Sequence, residues 1–131
     1  MTLQFSTTDR TAFASELAGA VGGGTIKLFT GAEPANCAAA DPSGPLASGT
    51  LPATAATASA GVLTMSGAWV ATGTAAGTAA SFRIYDSNAN CRIQGSVSQT
   101  SAGGDMTLDN TNIAVAQVVN VQTFAIIFGN A

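Results

Sequence analysis

Histidine is absent from this chain. Its absence removes the commonest general base and the commonest metal ligand, and with them serine triads and most zinc sites. Charge is scarce as well: Asp, Glu, Lys and Arg make up 8% of 131 residues, against about 25% in ordinary soluble domains. The four basic residues, Arg10, Lys27, Arg83 and Arg92, form no cluster, which argues against a nucleic-acid partner. Acids are scattered over helix, loops and turns, with no pair aimed from one strand face at one bond, so an enzyme is not expected. No apolar run approaches the roughly 18 residues that a membrane crossing needs. The opening MTLQFSTTDR has no basic region followed by an apolar core. No signal peptide is therefore expected, and the chain is either used in a cytoplasm or is a mature form numbered from an added Met1.

What is present is an uncharged polar surface. Hydrophobic residues are 47% of the chain but aromatics only 6%. Most of the apolar content is Ala, and Thr, Ser and Gly supply much of the rest. Few lysines oppose burial in a contact through their side-chain entropy. A net charge of −3 gives weak self-repulsion. This composition favours a protein packed against neighbours. A single domain of this size buries roughly two thirds of its unfolded surface and folds without metal or disulfide. Cys37 and Cys91 are compatible with two free thiols or with one bridge. The bridge would tie the loop after the first strand to a later hairpin, and would be worth about 4 kcal/mol in the chain-entropy picture.

The clearest local signal lies between Ala79 and Val97. Phe82 and Ile84 alternate with Arg83 and Tyr85, and Cys91, Ile93 and Val97 alternate with Arg92, Gln94 and Ser96. The turn formers Asp86 to Asn90 stand between the two arms, so the stretch reads as a β-hairpin. Residues 7–21 read as the one helix, capped by Thr7 or Thr8, with Asp9 in its first turn. Its apolar stripe is Phe13, Leu17 and Val21, with Ala14 and Ala18 beside them. Gly22, Gly23 and Gly24 end it. A phosphate loop is rejected, because its glycines precede a helix N-terminus and these follow a C-terminus.

Strands are expected at Thr25–Thr30, at 61–66 continuing through 68–71 after a bend at Gly67, at 106–108, and at 118–128. A weak edge strand falls within 50–60. On the last strand Val119, Val121, Thr123, Ala125 and Ile127 share a face, and the other face turns from polar to apolar at Phe124, Ile126 and Phe128. Residues 31–49, with Pro34, Pro42 and Pro45, read as an irregular arm crossing the surface and reaching onto a neighbouring subunit. Seven to eight short strands with frequent turns predict a mainly β chain: an antiparallel β-sandwich or small barrel with one N-terminal helix, as a single domain over 1–131. Candidate interface residues are Pro34, Cys37, Pro42, Pro45 and Trp69, the last being either a core or an interface anchor. Asp86, Asn88 and Asn90 resemble the start of a calcium loop. The glycine and terminal carboxylate of that pattern are replaced by Cys91 and Val97, so a hairpin turn is the simpler reading.

The strings IKLFTGAEPANCAAAD, GTLP, GVLTMSGAWVATGTAAGTAASFRIYDS and IQGSVSQTSAGGDMTLDNTNIAVAQVVNVQTFAI resemble those of small structural proteins encoded in tailed-bacteriophage genomes. The likeness runs from about Phe5 to Asn130. Cys37, Cys91 and the segment Val115-Ala116-Gln117, where glycine is more usual, depart from the pattern. The resemblance implies a virion-associated structural role, assembled in the host cytoplasm, with copies of itself and other virion proteins (major capsid or tail proteins) as partners. It implies no cofactor. A decoration or cement protein on the capsid is the first expectation, and a tail, baseplate or fibre component the second. A carbohydrate- or cell-surface-binding module is the alternative from another class, resting on solvent exposure of Trp69 or Tyr85.

Overall fold

The computed structural model describes residues 3–42, 44–100 and 102–128. One position of the expected arm, Ser43, and one of the loop after Val97, Ser101, lie outside the described residues, as do both ends of the chain. The helix α1 spans Thr7–Val21. Its N-cap is Ser6 rather than Thr7 or Thr8: Ser6 is extended, and its hydroxyl accepts from the Asp9 amide at 3.0 Å and donates to the Asp9 carboxylate at 2.9 Å. The buried stripe is Ala14 and Val21, with Leu17 and Ala18 packed beside them. Phe13, expected in that stripe, stands at its margin, 46% exposed. Four positions spaced three and four apart already fill the face against the sheet, and small alanines let the backbone approach closely.

Eleven strands follow among the described residues: β1 Thr25–Phe29, β2 Ala47–Thr50, β3 Ala56–Ser59, β4 Val62–Met65, β5 Val70–Gly73, β6 Gly77–Thr78, β7 Ser81–Tyr85, β8 Cys91–Gln99, β9 Met106–Leu108, β10 Asn112–Ile113 and β11 Val118–Ile127. Seven of them close a barrel in the order β11, β5, β2, β1, β7, β8, β9 and back to β11. Closure removes the free edges that a sandwich would leave. Strands β4 and β3 extend the sheet outward from β11, with β3 at the edge, and β6 pairs with β10 in a separate ribbon. All pairings are antiparallel except β8 with β9, which is parallel and departs from the purely antiparallel expectation.

The bend at Gly67, where φ is +72°, is real. β4 and β5 lie end to end along one side of β11, pairing with its 125–127 and 118–120 segments. Residues 47–50, most of which the sequence assigned to an irregular arm, form a strand paired on both sides, with β1 and with β5. Ala-Ser-Gly-Thr carries almost no apolar pattern, so the strand was hidden. Gly49 is needed there: a Cβ at this position would collide with the Val70 carbonyl of the neighbouring strand.

The expected single inward face of β11 is interrupted. A bulge between Val121 and Thr123 against β9 shifts the alternation by one residue. Val119 and Val121 point into the core before it, and Phe124 does so after it, while Ala125 and Ile127 face outward. The core is one cluster, with Trp69, Phe124 and Phe82 in series at centroid spacings of 5.4 and 5.5 Å. Trp69 is 1% exposed, and its indole N–H donates to the Ala55 carbonyl at 2.8 Å. Of the two readings open for it, core anchor or interface anchor, the core anchor is the one found. α1 packs on β3 and β4 and touches β8. Arg10 donates to the Phe128 carbonyl, and the Thr11 hydroxyl accepts from the Gly61 amide.

Candidate functional site

The outward face of β7 is the unusual feature of the barrel. In an ordinary barrel wall Arg83 and Tyr85 would face solvent, yet every residue of β7 is buried. The cover comes from the connection between β1 and β2, whose residues 34–41 fold as a strap over β7 and β8. It therefore crosses the surface, as the sequence suggested, but it is fastened to its own chain.

Register explains why. Arg83 stands directly opposite Lys27 on β1 and Gln94 on β8. Two cations side by side across a sheet repel. The strap delivers Asp41 between them: its carboxylate lies 2.9 Å from an Arg83 Nη and 3.9 Å from Lys27 Nζ. Arg83 also donates to the carbonyls of Asn36 at 3.1 Å and Ala39 at 2.9 Å, and to Gln94 Oε1. All three guanidinium nitrogens are engaged, and the side chain is 3% exposed. Gln94 in turn donates to the Pro34 carbonyl, the Tyr85 hydroxyl donates to Asp41, and Lys27 Nζ sits 4.8 Å from the centroid of the Tyr85 ring. At the far side Cys37 and Cys91 are joined, with Cα atoms 5.3 Å apart and a sequence separation of 54. Of the two readings open for the cysteines, the bridge is the one found.

Strap residues 37–41, the turn at 89–91, and Lys27, Arg83 and Tyr85 enclose an open hollow of about 620 Å³. Its acid is already committed. Burial raises the Asp41 carboxyl, but hydrogen bonds from Tyr85 and Arg83 and the charge of Lys27 outweigh it, and the group ionises below the ordinary carboxylate range. Burial, then the hydrogen bond to anionic Asp41 and its charge, hold the Tyr85 phenol well above its ordinary range, against a weaker pull from Arg83. No second carboxylate lines the hollow. The arrangement fastens a loop.

The expected calcium ligands are used internally. The Asp86 carboxylate accepts from the amides of Asn88 at 2.9 Å and Asn90 at 3.0 Å, and pairs with Arg92 at 3.4 Å. The Asn90 amide above all depresses its pKa, against a smaller rise from desolvation, with Asn88 and Arg92 adding to the depression. Both Asp86 oxygens are engaged within the turn, one by the two amides and the other by Arg92, and residues 86–90 form the turn of the β7–β8 hairpin. Among the described residues no group of three His, Cys, Asp or Glu could hold a metal.

Of the arm residues singled out, Pro34 and Pro45 are half-buried and bind through their carbonyls, Pro45 accepting from the Thr74 hydroxyl at 3.0 Å. Pro42 is exposed. The cluster of Lys27, Asp41, Arg83, Tyr85 and Gln94 was not foreseen. The available signal was Arg83 and Tyr85 sharing the outward face of the strand bearing Phe82 and Ile84, together with a cysteine in the arm and another at the start of the next strand.

Acid should weaken this fastening. Asp41 and Asp86 both have folded pKa values below the unfolded value of about 4. Their contribution is complete above that value and is lost as pH falls through the folded ones. Tyr85 has the opposite sense: its contribution is present below about pH 10 and is lost only as pH rises through its higher folded value. The melting temperature should be level between about pH 5 and 9 and fall below about pH 4. Asp41→Asn should make the acid fall shallower, and an unchanged slope in that variant would show that the strap acid is not responsible.

No family model, no curated protein and no solved structure matches this chain. No helix among the described residues is long and apolar enough to cross a membrane.

Proposed function

We propose that the chain is a structural subunit of a tailed-bacteriophage particle, in first place a decoration or cement protein on the capsid exterior. The observation that carries this reading is the strap. A long polar loop is secured by a disulfide, an ion pair and several hydrogen bonds onto a closed barrel, leaving a rigid outer face with little charge. A bond between cysteines suits a particle that persists outside the cell. Asp41, Asp86, Asp105 and Asp109 all hold amides, hydroxyls or guanidinium groups in place, which is the work of a scaffold. The resemblance of its strand and turn strings to small phage structural proteins points the same way. Many modest interfaces repeated over a shell give avidity without any single strong pocket.

The alternative as a carbohydrate-binding module rested on an exposed aromatic ring. Trp69 is in the core, and Tyr85 is 6% exposed beneath the strap and Lys27, so neither ring offers a stacking platform.

Electron microscopy of particles from cells whose phage genome carries this sequence, labelled with an antibody against the chain, tests the proposal. Label over the head is expected. Label on the tail selects the tail, baseplate or fibre reading, and purified particles free of label overturn the structural role.

A further inference from the structure

The disulfide sits among bonds that hold its two cysteines in place without it. Strap residues on both sides of Cys37 are tied to the barrel separately. Before it, the Pro34 carbonyl accepts from Gln94 and the Asn36 carbonyl from Arg83. After it, the Ala39 carbonyl and the Asp41 carboxylate accept from Arg83. Within the strap the Asn36 side-chain oxygen accepts from the amides of Ala38 at 2.9 Å and Ala39 at 3.1 Å, which fixes the bend that carries Cys37. A side chain that bonds the backbone just ahead of it makes a turn that needs no outside support.

On the barrel side Cys91 is aimed by a bulge. Strict alternation would put it with Ile93 on the inner side of β8. Instead Ile84 pairs with Ile93 and Tyr85 with Cys91, so Arg92 is the extra residue and the ladder slips by one. Cys91 thereby shares the outward face of Tyr85, under the strap. The turn before it is held by Asp86 through the amides of Asn88 and Asn90. None of these contacts uses a sulfur atom.

Both cysteines are half-buried, neither belongs to the core, and both line the open hollow of about 620 Å³. A small thiol or disulfide can reach the sulfurs from that side with the barrel intact, and access is one condition of thiol–disulfide exchange. The chain has two cysteines, so within one chain there is one pairing to make.

We infer that the Cys37–Cys91 bond is a redox latch, closed on a strap that is already seated. In the reduced chain the noncovalent ties bring the two thiols together. One thiolate attacks a small disulfide such as oxidised glutathione, forming a mixed disulfide and releasing one glutathione. The second thiolate then displaces the other glutathione and closes the protein bond. The protein gives up two electrons and two protons, and the small disulfide takes them up as two thiols. Excess small thiol runs the same steps backwards. The use of such a latch rests on the assembly role proposed above. A subunit fitted in a reducing cytoplasm keeps a strap that can still yield to its neighbours, and the bond fixes that face once the particle meets oxidising surroundings.

The test equilibrates the native full chain in buffers of graded ratio of dithiothreitol to its oxidised form, quenches by alkylation and reads the thiols by intact mass. The bond should open and re-form completely without denaturant, with the circular dichroism of the barrel unchanged. The equilibrium constant for bond formation should be at least ~10-fold lower in Arg83→Met, since two changes that release one strap are coupled. Gln94→Ala, which removes the tie to Pro34, should lower it in the same direction and serves if the arginine variant does not fold. The latch is overturned if the bond resists dithiothreitol until the barrel unfolds, if the reduced chain loses the dichroism of the barrel, or if the constant equals the parent's in every variant that folds. These measurements involve no particle. Any such result would remove the latch and leave the structural role standing, whereas particles free of label would remove the role and leave the exchange chemistry of the isolated chain as measured.

Discussion

Replacing Cys37 and Cys91 together by serine should lower the melting temperature by roughly 12–15 °C without abolishing the fold. The bond closes a loop of 54 residues, and in the chain-entropy account its loss frees the unfolded ensemble by about 4 kcal/mol. For a domain of this length each kcal/mol corresponds to about 3–4 °C. The native state loses little directly, because the strap remains tied through Arg83, Gln94 and Asp41, and the core does not include either cysteine. Calorimetry of the oxidised parent and the Cys37→Ser, Cys91→Ser double variant provides the comparison. A fall below about 3 °C would show that the bond constrains the unfolded chain far less than its span implies.

Arg83→Met should be nearly as costly, by a different route. Methionine fills much of the arginine's volume, so the loss is of bonds and not of packing. The Ala39 carbonyl loses its donor, the Asn36 carbonyl keeps only the Ala39 amide, Gln94 loses a partner, and Asp41 loses its nearest cation. Breaking a buried pair by removing one partner costs about 3–5 kcal/mol. Asp41 is about a third exposed and water relieves part of its share, so about 2–4 kcal/mol is expected here. The damage should be local: limited proteolysis should cut within residues 31–45 while the barrel resists. Combining Arg83→Met with the serine pair should give a loss unequal to the sum of the two, since both changes release the same strap. A barrel that melts as the parent does, with the strap uncut, would show that the guanidinium does not hold it.

The features legible in the sequence were those carried by periodicity over neighbouring residues. The helix bounds, the hairpin around Asp86 and the bend at Gly67 all came from local alternation, glycine and turn chemistry. Features decided by distant contact were not legible. β2 is a strand because β1 and β5 lie on either side of it, which four small residues do not announce. The bulge in β11 arises from its pairing with β9 and changes which side of Ala125 and Ile127 is wet, and alternation alone extends the wrong face. Phe13 fits the helical stripe as well as Leu17 does, and only the sheet beneath determines which of them it covers. The polar cluster joins residues 27, 41, 83, 85 and 94 from four separate segments. The cysteine pair was the one clue that could have placed the strap over β7, and it stood equally well for two thiols.

The position of β11 has a consequence for how the chain reaches this state. It is the last strand in order, yet it is the partner of β4, β5 and β9. Until the ten residues Val118–Ile127 arrive, three earlier strands carry bare edges and the sheet is an open ribbon. Contacts so distant along the chain form slowly, and open edges awaiting a late strand are where chains crowded on a ribosome pair with one another instead. A scarcity of charge that suits close packing in an assembly thus leaves the nascent chain poorly defended, and makes prompt delivery of its final strand the step on which its yield turns.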